Sequence, residues 1–197
     1  VVVIAESTTV DTTGKLYAQN LTIDANKTLT NENLVVAGVL DNDNKITNNS
    51  ILQIVGETTT GEIDGTGHLV MGGTGYTGAD VEVDDAVSQA YIEITANNKL
   101  TFDADDVDLS NENAVRNAGN LYITGGTLDY TVGNNGANVG TTYIDGRVIA
   151  DANISGNNVN LKSGMLTLRG GETMKQIGVM IPAIRDNLQS ELLDGIR

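Results

Sequence analysis

Two groups of carboxylates are the densest chemistry in the chain. Asp103, Asp105, Asp106 and Asp108 fall within six residues, and Asp80, Glu82, Asp84 and Asp85 form a second group. Oxygen ligands at alternating positions suit Ca²⁺, a hard cation that takes roughly six to eight of them, so Asp103, Asp105, Asp106 and Asp108 form the candidate calcium site. Neither group follows the EF-hand loop, since Val107 occupies a ligand position and no Gly follows. Neither carries the glycine-rich nonapeptide calcium repeat. The competing reading is a solvated acidic face.

Other chemistry is poorly supplied. The sequence has one His and no Cys, which removes thiolate sites and leaves a histidine zinc site or a Ser-His-Asp triad without its parts. That His, His68, falls one residue out of phase with the inward positions described below, so it is expected to be exposed and without a role. An inverting glycosidase needs two carboxyls about 6.5 to 9.5 Å apart, and no spacing singles out such a pair. The expectation is a protein that is not an enzyme. With 11 Lys and Arg against 26 Asp and Glu the net charge is −15, and the cations are scattered singly, so nucleic acid is not an expected partner. No apolar run approaches the 18 or so residues of a membrane span.

The composition says what must position these groups. Gly (23), Thr (23) and Asn (22) make up about a third of the 197 residues, and there is one Pro, one Phe and no Trp. Val, Ile and Thr favour strands, while Gly and Asn tolerate positive φ in tight turns. The mixture describes many short strands joined by many turns, with a core of stacked aliphatic side chains.

Internal repeats settle the expected architecture. Leu29, Ile46 and Ile63 are spaced by 17 residues, as are Val35, Leu52 and Leu69, and Ala37, Ile54 and Met71. Alternate apolar residues belong on one face of a half-buried strand, so Val36, Gln53 and Val70 should face outward. Downstream, Ile123, Tyr143 and Leu161 precede Gly126, Gly146 and Gly164 by three residues, followed by Leu128, Val148 and Leu166, and Val35, Gly38 and Leu40 share that pattern. Ala25 to Thr30 is echoed by Ala96 to Thr101, and Asn31-Glu32-Asn33 by Asn111-Glu112-Asn113. A period of 17–20 residues predicts an all-β fold, a parallel β-helix (β-solenoid) over residues 16–170. Roughly eight coils at about 4.8 Å each would make a rod near 40 Å long. Asn31 and Asn48, also 17 apart, are expected to stack as an amide ladder. Asn20, Asn26, Asn48 and Asn153 open Asn-x-Ser/Thr sequences, which in so Asn- and Thr-rich a chain carry no information on glycosylation.

Three segments fall outside the repeat. Residues 1–15 are expected to form an N-terminal strand and cap, and residues 72–90 a long corner loop. In residues 171–197, Met174, Ile177, Ile181, Ile184 and Leu188 recur at spacings of three and four, with Leu192 beyond. This predicts a C-terminal amphipathic helix, either a cap or an oligomerisation element. A solenoid end exposes strand edges, so homo-oligomer formation through Val1 to Ala5 or through the helix is expected. Val1 is not an initiator Met, so a processed chain or a fragment is expected.

Asn33 to Asp41 and Asn120 to Asp129 resemble coils of bacterial surface β-helices, the passenger regions of autotransporters and filamentous haemagglutinin-like adhesins. Phage tail fibres and tailspikes are similar in rung style. The resemblance implies an extracellular or cell-surface structural or adhesive protein, with a surface glycan or host receptor as partner. Its alternatives are a virion fibre or spike component and a β-helix enzyme acting on polysaccharide.

Overall fold

Val35, Leu52 and Leu69 are register partners on adjacent parallel strands, and so are Ala37, Ile54 and Met71. Leu29, Ile46 and Ile63 form a third column. All nine are wholly buried, as the 17-residue spacing requires. Each inward side chain rests on its equivalents one coil away. The computed structural model describes residues 1–111 and 113–169, and it is a parallel β-solenoid.

Three sheets line the coils. The first has eight strands, Val2–Ile4, Lys15–Ile23, Leu34–Asn42, Ile51–Ile54, His68–Met71, Tyr91–Ile94, Val115–Asn117 and Val132–Asn134. The second has six, Thr8–Val10, Thr28–Asn31, Lys45–Asn48, Glu62–Asp64, Val87–Gln89 and Val107–Leu109. The third has seven, Glu57–Thr59, Asp80–Glu82, Lys99–Phe102, Asn120–Leu128 and Thr141–Ala150, with Asn158–Leu161 and Met165–Leu168 both paired to the last of these. The eight-stranded sheet at about 4.8 Å per step is about 34 Å long. Among the described residues the interior is mainly aliphatic, with Phe102 and Tyr130 meeting edge to face, ring centroids 6.4 Å apart, and with a few buried polar side chains, Asn31, Asn48, Gln89 and Asn117 among them.

Corners are made by glycine and amides. A side chain on Gly38 would strike the carbonyl of Gln19, and one on Gly56 the carbonyl of Gly38, so both positions require glycine. Asn26 and Asn97, equivalent in the echoed segments, both adopt left-handed backbone with φ of 61° and 64°; the same turn recurs on two different corners. Asn31 donates to Oδ1 of Asn48 over 2.7 Å, and Asn48 to Oε1 of Gln89 over 2.6 Å. The amide ladder exists, and beyond Asn48 it passes the Glu62–Asp64 strand to reach Gln89, two coils on.

Several expectations are corrected. Residues 72–90 are not one loop, because Asp80–Glu82 and Val87–Gln89 are strands of the third and second sheets. Their outward Asp80, Glu82 and Ser88 hide the inward, buried Val81 and Val87. Within that span the residues between strands are 72–79, 83–86 and 90. In residues 1–15 the expected strand is present, but Val2–Ile4 and Thr8–Val10 pair as strands of the first and second sheets and form no separate cap.

The downstream columns also shift. Ile144, not Tyr143, lies between Ile123 and Leu161, and Gly126 is the partner of Val148. A bulge places one extra residue of Thr141–Ala150 opposite Thr124. Val36 faces outward in register with Tyr17 and Gln53, yet it is buried. The predicted helix in 171–197 lies outside the described residues.

Candidate functional site

The two acidic groups are held by backbone and by lysine. Asp103 caps a single 3₁₀ turn, Ala104–Asp106, and accepts the amide of Asp105 over 3.1 Å. Asp105 accepts the amide of Thr127 one coil on, over 2.8 Å. Asp106 is exposed, and Asp108 faces outward from Val107–Leu109 beside Ser88. In the second group, Asp80 pairs with Lys99 at 2.9 Å, Asp84 accepts the amide of Gly61 at 2.8 Å, and Asp85 accepts that of Ala86 at 2.7 Å. Among the described residues no three carboxylate or imidazole groups come together as metal ligands, so Asp103, Asp105, Asp106 and Asp108 are not brought into one coordination shell.

Outward columns elsewhere tie coils together. Lys45 bridges Glu62 at 2.8 Å and Asp64 at 2.7 Å, and these partners, Asp64 first, hold its ammonium above the ordinary lysine range. Lys162 lies 2.7 Å from Asp145, and with the Ser163 hydroxyl it holds that carboxyl below the usual range. Tyr122 and Tyr143 stack at 4.4 Å with rings 10° apart.

His68 is half-buried rather than exposed. It is the register partner of Tyr91, and the rings stack with centroids 4.1 Å apart. Nδ1 of His68 is 2.6 Å from the Tyr91 hydroxyl. On the Tyr91 ring sits the Arg116 guanidinium, 3.7 Å from the centroid. Burial, and then Arg116, push the imidazole below its ordinary 6.5, with Glu93 acting the other way.

Next to this stack is a groove of about 380 Å³, lined by residues 73–77, by Glu93, Thr95, Ala96 and Asn97, and by Ala118, Asn135 and Asn138. One wall is the 72–79 segment, carried out of the coil by glycines at positive φ (Gly72 82°, Gly73 114°, Gly75 85°, Gly78 89°). The wall is pinned at both ends. The Gly73 amide donates to the Thr95 hydroxyl at 2.9 Å, the Gly78 amide to the Asn97 carbonyl at 3.2 Å, and the Asn98 side chain to the Tyr76 carbonyl at 3.3 Å. The opposite wall is the turn closed by the Asn138 amide on the Asn135 carbonyl at 3.1 Å. Across the floor the Asn135 side chain donates to Oε1 of Glu93 at 2.7 Å, from 42 residues away.

Sequence reasoning missed Glu93, Asn135 and Tyr76 as members of one site. Signals were present: Glu93 sits between the inward Ile92 and Ile94, Asn135-Gly136 is a turn pair, and Tyr76 lies in Gly75-Tyr76-Thr77-Gly78. What joins them is coil stacking, which no local pattern shows. Among the described residues no helix is long and apolar enough to cross a membrane. No protein-family model, curated protein or solved structure matches the chain.

Proposed function

We propose that this chain is a non-enzymatic structural and adhesive β-solenoid of an extracellular or surface protein. The observation that carries the reading is the division of labour along each coil. Inward positions form continuous aliphatic columns, and outward side chains form register-locked columns such as Lys45 with Glu62 and Asp64, or Tyr122 on Tyr143. A stack of this kind is stiff along its axis and repeats its surface every coil, which suits a spacer that displays binding groups. The commitment of Asp103, Asp105, Asp80, Asp84 and Asp85 to backbone amides or to lysine supports a structural rather than a catalytic use of the acidic residues.

Self-association belongs to the reading, supported by the apolar stripe Met174, Ile177, Ile181, Ile184 and Leu188 in the sequence. Sedimentation of the full chain that gives a monomer at every concentration removes it. The reading as a whole is tested by immunogold electron microscopy of native material with antibody to this chain. Gold on the outer surface or on filaments is the expected result. Gold on virion tails replaces the reading with a virion fibre, and gold confined to the cell interior overturns it.

A further inference from the structure

From the groove between the 72–79 segment and the Asn135–Asn138 turn we infer that the protein binds a neutral saccharide there. The inference rests on the adhesive reading and gives it a ligand class. The chemistry of the lining decides between classes. Glu93 is its one charged lining residue, and among the described residues no Lys or Arg lines it. The register partner of Glu93, Arg116, is engaged on the Tyr91 ring, so phosphate, sulfate and acidic sugars would meet a carboxylate in the groove and no lining cation. Its apolar lining amounts to two alanines and the Tyr76 ring, too little for an acyl chain.

The groups that remain are the Glu93 carboxylate, the amides of Asn97, Asn135 and Asn138, and the hydroxyls of Thr74 and Thr77, the Thr95 hydroxyl being taken up by the Met71 carbonyl, the Gly73 amide and the Asn98 side chain. A carboxylate only accepts, whereas amides and hydroxyls both donate and accept. A ligand that satisfies them together must carry several hydroxyls at fixed spacing. Asn135 fixes the orientation of Glu93 and occupies one of the roughly four lone-pair sites on the carboxylate, leaving acceptor capacity for sugar hydroxyls. Tyr76 stands at the rim with 46% of its surface exposed, a flat ring available to the C–H face of a pyranose. At about 380 Å³ the groove lies toward the small end of ligand sites, which run from about 300 to 1,000 Å³. That size matches one or two sugar rings. The 72–79 wall is hydrogen-bonded to the coils, and the opposite turn is tied to them through the Asn135 side chain on Glu93, so little ordering cost falls on binding.

The test uses the full chain on a printed array of neutral oligosaccharides built from hexose and N-acetylhexosamine units, with sialylated and sulfated glycans on the same array. Glycans retained are then titrated by saturation-transfer NMR against Tyr76→Ala, Glu93→Gln and, on another sheet, Thr30→Ala. The expected result is retention of at least one neutral glycan, weakened about tenfold or more by Tyr76→Ala and by Glu93→Gln and unchanged by Thr30→Ala. The circular dichroism of all three variants should match the parent. No neutral glycan retained, retention of acidic glycans only, or equal binding by all variants each overturns the groove assignment. None of these results alters the immunogold outcome, so failure here and failure of the adhesive reading are read separately.

Discussion

The side-chain amide of Asn31 donates to Oδ1 of Asn48 across 2.7 Å, one coil apart, and both residues are wholly buried. Asn48 in turn donates to the His68 carbonyl at 3.0 Å and to Oε1 of Gln89 at 2.6 Å. Asn48→Leu keeps the volume but leaves Gln89 without this donor in a dry interior. A loss of about 1–3 kcal/mol in urea unfolding is expected, and Asn31→Leu combined with Asn48→Leu should cost less than the sum of the two. Strict additivity would deny the ladder.

Leu52 sits between Val35 and Leu69 with no exposed surface. Leu52→Ala should cost about 2–5 kcal/mol through lost burial and the cavity left, and Leu52→Asp should prevent folding by burying an unpaired charge. Val139→Asp, at a side chain 52% exposed, should stay within about 0.5 kcal/mol of the parent. Comparable losses at both sites would show that the columns do not form the core.

Legibility followed local spacing. The Leu29, Val35 and Ala37 columns were readable because three successive coils keep the same 17-residue length, so the register survives in the sequence. Tyr143 was misassigned because the extra residue opposite Thr124 shifts the inward position to Ile144, and alternation alone does not mark a bulge. Val81 and Val87 were lost to a supposed loop because their strands are three residues long with polar outward neighbours. The groove was illegible for a different reason. Tyr76, Glu93 and Asn135 lie on separate coils, and only stacking brings them to one face.

His68 is the single histidine, so its titration can be followed alone by NMR. Its folded value is held below 6.5 by burial and Arg116, which means that the unfolded chain takes up the proton first as pH falls. The contribution to stability is therefore complete above pH 6.5 and is lost as pH drops toward the folded value. The expected titration midpoint is below 6.5, and thermal melts should decline less between neutral and mildly acidic pH in His68→Phe than in the parent. A midpoint at or above 6.5 would contradict the burial of His68 beside Arg116.

Calcium should leave the melting temperature unchanged. Asp103 and Asp105 already accept backbone amides, and a site built on Asp106 and Asp108 alone has too few oxygens for a cation that takes roughly six to eight. Melts in chelator and in millimolar calcium test this. A rise with calcium that Asp106→Asn abolishes would restore the acidic cluster as a metal site.

The central claim is that successive coils stack in parallel and in register, since every column and the groove depend on it. Thr9, Thr30, Thr47 and Asp64 form one outward column, and Ser88 and Asp108 pair on the two following strands of the same sheet. The chain has no Cys, so spin labels attach only where cysteines are introduced. Electron–electron double resonance between labels at Thr9→Cys and Asp108→Cys should give a distance of about 24 Å, five steps of about 4.8 Å, and at Thr9→Cys and Ser88→Cys about 19 Å. A Thr9–Asp108 distance no longer than the Thr9–Ser88 distance, or a broad distribution without a preferred value, would contradict the stacked solenoid.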